Sequence, residues 1–143
     1  MRLFAFLTLM CASPAAAWEF SPSPVCTLSH TSAELDVELT YDPRRAAPYS
    51  IALTAAMPWP DAPVFGLRFF GGRDITITTD RQEFSDGGRT VSVQDKGFGN
   101  VLDGLEFNAA ANAFIGGMVR QVPLDGAAEP VQAFRACVSQ PSV

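Results

Sequence analysis

Apolar and polar residues alternate along much of the first two thirds of the chain and then stop alternating. Ala33, Leu35, Val37, Leu39 and Tyr41 fall on one face; Glu34, Asp36, Glu38 and Thr40 fall on the other. A period of two held over Ala33–Tyr41 predicts a half-buried antiparallel strand. The same alternation predicts strands over Tyr49–Ala55, Val64–Phe70, Asp74–Thr79 and Arg89–Gln94. Their inward sets are Ile51 and Leu53; Phe65, Leu67 and Phe69; Ile75 and Ile77; and Val91 and Val93. Cys26–Thr31 reads as a shorter first strand, and Trp18–Val25, with two prolines and two serines, as an extended lead-in. Asp42–Pro48, Gly71-Gly72 and Asp86-Gly87-Gly88 carry turn chemistry. Residues 64–94 therefore read as a meander of three or four antiparallel strands. Met57–Pro63 holds three prolines and cannot be regular structure. Trp59 within it is either an exposed contact residue or a plug over one end of the core, and the usual burial of tryptophan favours the plug.

The character changes at Asp95–Leu105, D-K-G-F-G-N-V-L-D-G-L. Beyond it the chain is rich in alanine, and the apolar spacing is helical or irregular. Asn100 is expected to cap a short helix beginning at Val101, with Asp103 near its first turn. That helix ends at Phe107 or runs on to Phe114, and Gly116-Gly117 stops it. Gly97 and Gly99 would supply backbone angles closed to other residues; Phe98 between them either turns inward and anchors the corner or stands exposed as a contact residue, and the inward placement is favoured. Met118–Val122 suits a last strand and Asp125-Gly126 a turn. Ala127–Cys137 suits a terminal helix with Pro130 in its first turn and Val131, Phe134 and Val138 toward the core. The expected fold is mainly β: an antiparallel β-sandwich or small barrel-like meander with one or two short C-terminal helices.

The first 17 residues stand apart from this pattern. A basic Met1-Arg2, an apolar run Leu3–Met10 and the small residues Ala15-Ala16-Ala17 read as a cleaved secretory signal peptide. Cys11 follows Met10 rather than a small residue, which argues against a lipid anchor. The remaining Trp18–Val143 is expected to form one β-rich domain, with no apolar run able to span a bilayer. Loss of Arg2 with the leader leaves nine basic and 15 acidic residues, a net charge of −6. Such a surface repels phosphate backbones, so nucleic acid is not an expected partner. Cys26 and Cys137 are then the remaining cysteines, and an even count in an exported chain reads as a disulfide.

The chain is poor in catalytic signals. It has no G-x-x-x-x-G-K-S/T loop, so nucleotide-driven function is not expected. It has one histidine, so neither a zinc hydrolase nor a histidine-ligated metal fits. That residue, His30, is expected on a partly exposed strand. Ser29 and Thr31 point to the opposite face, and Ser32 lies roughly 7 Å along the strand, beyond a direct hydrogen bond. Gly97, Gly99 and Gly104 miss the dinucleotide spacing, and the antiparallel pattern lacks the βαβ unit it needs. Asp95, Asn100 and Asp103 offer oxygens, but their spacing matches no EF-hand loop. The acidic face of Ala33–Tyr41 reads as solvated surface. No catalytic residue, metal ligand or cofactor is expected. Trp59, Phe98, Asn100 and Asp103 are the candidate binding surface.

Leu105 and then Val122-Pro123-Leu124-Asp125-Gly126-Ala127-Ala128, with Val131, Ala133 and Phe134, resemble the closing segment of the invasion-associated locus B-like periplasmic proteins. Those proteins end in an apolar strand, a glycine turn and an alanine-rich helix. The resemblance covers about a quarter of the chain after the leader and carries no catalytic residue across. It implies a small non-enzymatic periplasmic protein. The functional expectation is thus an exported, non-enzymatic domain that binds a protein or envelope component. The alternatives are a small periplasmic hydrolase with an unrecognised site, or a purely structural envelope-assembly factor.

Overall fold

The computed structural model describes residues 17–140; the expected signal peptide, except Ala17, lies outside them, and so does Cys11. Ten strands and two helices follow one another in this range. They are β1 (Trp18–Ser21), β2 (Cys26–Thr31), β3 (Leu35–Tyr41), β4 (Tyr49–Ala55), β5 (Phe65–Phe70), β6 (Ile75–Thr79), β7 (Glu83–Ser85), β8 (Thr90–Asp95), α1 (Gly99–Glu106), β9 (Ala110–Ile115), β10 (Met118–Pro123) and α2 (Ala128–Val138). Sheet A has the order β1-β2-β3-β4-β8-β7 and sheet B the order β10-β9-β5-β6, with every pairing antiparallel. The two sheets stay separate, so the fold is a sandwich rather than a closed barrel.

The alternating residues account for the core. Leu28, Leu39, Leu53 and Val91 from sheet A and Phe69, Ala113 and Ile115 from sheet B are all at most 1% exposed. The registers Leu28↔Leu39, Leu39↔Ile51 and Ile51↔Val93 line up apolar residues across sheet A, so one period-two face buries as a unit. Val131 and Phe134 of α2 are fully buried, and α2 packs against β1, β2 and α1. Arg135 of α2 forms ion pairs with Asp103 (2.6 Å) and Glu106 (2.9 Å), tying the two helices together. The sulfurs of Cys26 and Cys137 lie at disulfide-bonding distance, with Cα atoms 6.0 Å apart and a separation of 111 residues.

Several expectations are corrected. Trp18–Val25 is not merely a lead-in: Trp18–Ser21 pairs with Thr27–His30. Trp18 is buried and its indole Nε1 donates to Pro123 O at 2.9 Å, which draws this segment onto the body. The meander over 64–94 is divided: β5 and β6 belong to sheet B, whereas β7 and β8 belong to sheet A. Alternation marks a buried face but does not say which sheet holds it. α1 ends at Glu106, and the alanine-rich stretch after it is strand β9. Ala111, Ala113 and Ile115 bury on alternate positions, so tertiary pairing with β5 overrides the helical preference of alanine. Gly116 then turns the β9–β10 hairpin at φ 56°.

Candidate functional site: a cleft between the two sheets

The corner after β8 lines a cleft of about 420 Å³ between the two sheets. One wall comes from sheet A, through Ile51 of β4 and Val93 and Asp95 of β8. The opposite wall comes from sheet B, through Phe65 and Leu67 of β5 and Ile77, Thr78 and Thr79 of β6. Residues Gly97–Val101 and Arg81 complete the lining. Ile51, Phe65, Leu67, Val93, Phe98 and Val101 are buried residues that belong equally to the hydrophobic core, so the cleft opens directly onto it. Its volume lies in the range of small-ligand and side-chain pockets, roughly 300–1,000 Å³.

The polar lining is sparse and partly paired. Arg81 donates to Asp95 Oδ2 at 2.9 Å, and Asp95 Oδ1 also accepts the Lys96 backbone N–H at 2.7 Å. Asn100, Thr78 and Thr79 supply neutral polar groups. The Phe98 ring stacks on Tyr49 at 5.4 Å, and Tyr49 in turn lies 4.9 Å from Tyr41. Burial, with a smaller contribution from Tyr41, pushes the Tyr49 phenol above its ordinary value, so it stays neutral.

Phe98 and Asn100 therefore meet at the cleft, whereas Trp59 and Asp103 do not. Phe98 is 5% exposed and turns inward. Asn100 is exposed, but it does not cap the helix: α1 begins at Gly99, with Phe98 in the cap position and no side-chain cap bond. Trp59 is 4% exposed, its Nε1 donating to Leu53 O at 3.3 Å; it is the plug and presents no ring to a partner. Asp103 is absent from the lining and is held by Arg135 on the α2 side. Asp95 and Asp103 are thus engaged by different arginines, and the three oxygen-bearing residues of the corner do not converge on one point.

Gly97 and Gly99 behave differently from expectation. Neither has a positive φ, and a Cβ at either would meet nothing within 4 Å. Neither turn geometry nor packing requires glycine there; both simply leave the backbone bare at the mouth of the cleft. Gly104 is the opposite case. A Cβ on it would overlap the Phe69 ring, so the glycine lets α1 approach sheet B. The sequence signals the corner residues but not Arg81, Ile77 or Phe65. Their convergence depends on the chain crossing from sheet B to sheet A between β6 and β7.

His30 is corrected from partly exposed to buried, at 3%. It shares the inner face of β2 with Cys26 and Leu28, and its ring lies 5.2 Å from that of Trp18. Desolvation lowers its pKa from the ordinary 6.5, and Asp36 opposes that shift. A second depression of about 430 Å³ lies beside the disulfide and includes Asp42 and Arg44. Asp42 accepts the Arg44 side chain at 2.9 and 3.0 Å and its backbone N–H at 3.1 Å. These bonds hold the carboxyl at about 2, so it remains an ionised loop anchor rather than a proton donor.

Fold and cleft together define an antiparallel sandwich with an apolar opening at one strand-to-helix corner. Comparison with family models, with curated proteins and with solved structures finds no match for the chain.

Proposed function

We propose that this chain is an exported, non-enzymatic binding domain of the cell envelope, and that it holds a protein partner through the cleft at Asp95–Val101. The observation that carries this reading is the cleft itself: about 420 Å³ of space between two sheets, with core residues for walls and two unconstrained glycines at its mouth. An apolar cavity with few convergent polar groups suits binding. The histidine on which serine or cysteine chemistry would depend supports the non-enzymatic reading, because it is closed inside the core against Trp18. The signal-peptide pattern supports export, and the resemblance of the closing segment supports a periplasmic location.

The test compares the oxidised parent protein with Gly99→Trp as baits on a detergent-free periplasmic extract. A side chain at Gly99 has open space and no unfavourable φ, so the variant should fold and obstruct the mouth. The parent should retain a protein that Gly99→Trp loses at least tenfold. Equal capture by both would overturn the assignment of binding to the cleft.

A further inference from the structure

We infer that the cleft takes its partner as an added β-strand: an extended, uncharged protein segment pairing with the free edge of β6. This rests on the protein-binding reading of the same site.

β6 ends sheet B, and among the described residues no backbone group pairs with its outer side. In an antiparallel pair every second residue turns its N–H and C=O away from its partner, so this edge is a row of free donors and acceptors. Natural sheets guard such edges with short strands, charges or proline. The other three edges here are guarded: β1 has four residues and an exposed Glu19, β7 has three residues and an exposed Glu83, and β10 carries Arg120 and ends on Pro123. β6 reads Ile-Thr-Ile-Thr-Thr, five residues with no charge and no proline. It is also the strand that borders the cleft, through Ile77, Thr78 and Thr79.

Edge and cleft together select one kind of occupant. An acyl chain could fill the apolar space but would cover the β6 edge without pairing it, leaving polar backbone desolvated. An extended peptide satisfies that edge and sends alternate side chains between the sheets, toward Leu67 and Val93. The charges in the lining, Arg81 and Asp95, already pair with each other at 2.9 Å, so the cleft offers a partner no net charge. A charged side chain inserted there would be buried unpaired. The inserted residues are therefore apolar and uncharged. A second copy of the chain is disfavoured as occupant because each copy carries a net charge of −5, or −6 once Arg2 is lost with the leader.

The experiment is selection from a displayed library of random linear nonapeptides, with the oxidised full protein as bait. Enriched peptides should carry uncharged apolar residues at every second position. Synthetic copies should slow exchange of the outward-facing amides within Ile75–Thr79 at least tenfold, leaving those already bonded to β5 as the internal reference. N-methylation of alternate peptide residues should abolish binding in one parity and spare it in the other, a readout that leaves the protein unaltered. Helical spacing, no enrichment, equal effects of both parities, or a self-paired dimer would each overturn strand addition. The outcome with Gly99→Trp separates the two ideas. If that variant loses its extract partner while the peptides show no strand signature, the cleft still binds protein and only the mode is wrong. If it keeps its extract partner, the assignment of protein binding to the cleft itself fails.

Discussion

His30 sits on the inner face of β2, against the Trp18 ring and almost out of contact with solvent. Its pKa is lowered, chiefly by desolvation. The unfolded chain therefore takes up a proton near pH 6.5 that the folded chain resists. Between the folded value and 6.5 the unfolded state binds more protons, so stability falls as pH drops through this window and is unaffected by His30 above it. Urea unfolding from pH 8 down to pH 5 should show the parent losing stability below about 6.5. A His30→Gln variant should lose less over the same range. Parallel profiles would show that His30 titrates equally in both states. The same residue shows why burial was hidden from the sequence. A lone histidine among Thr, Ser and Leu carries no alternation strong enough to override its polarity, and only pairing with β1 brings Trp18 over it.

At the scale of the element, α1 is the informative piece. Its capping was misread: Asn100 lies within the helix, and the helix starts without a side-chain cap. Its placement depends instead on Gly104 facing Phe69 and on Arg135 bridging Asp103 and Glu106. Gly104→Ala is therefore a direct test. Helix propensity alone would add about 1 kcal/mol of stability. Forcing a methyl into the Phe69 ring costs about 1–3 kcal/mol. The variant should unfold at lower urea concentration than the parent, and a stabilised variant would mean that α1 does not sit against Phe69. The glycine reads as a weak point of the helix in sequence; in the fold it is the contact that lets the helix seat, and so helps hold the corner that lines the cleft.

At the scale of the whole molecule, the Cys26–Cys137 pair ties the start of β2 to the end of α2 across 111 residues of chain. Closing a loop of that length removes freedom from the unfolded chain worth roughly 4–5 kcal/mol in the entropic picture, and often less in practice. Cys26→Ser with Cys137→Ser should melt well below the oxidised parent. Adding reductant should lower the parent toward the double variant and leave the variant unchanged. A reductant-insensitive parent would mean that the two thiols are not bonded.

The positions of β2–β6, β8 and β10, the inward sets of β3, β4, β5 and β8, the terminal helix and the cysteine pair followed from the sequence alone, because each depends on local periodicity or on counting; β1, β7 and β9 did not. β3, β4 and β5 were legible for that reason: burying one period-two face leaves little choice of register. Which strands share a sheet was decided only by the tertiary structure, since β6 and β8 alternate alike and nothing local tells sheet A from sheet B. The alanines of β9 needed β5 beside them before they became strand. The cleft was half legible: Phe98 and Asn100 were marked by the change of pattern at the corner, whereas Arg81, Phe65 and Ile77 were not. A cavity is a property of the space between sheets. It exists because the chain crosses from β6 to β7 at one edge of the sandwich, a choice set by long-range packing.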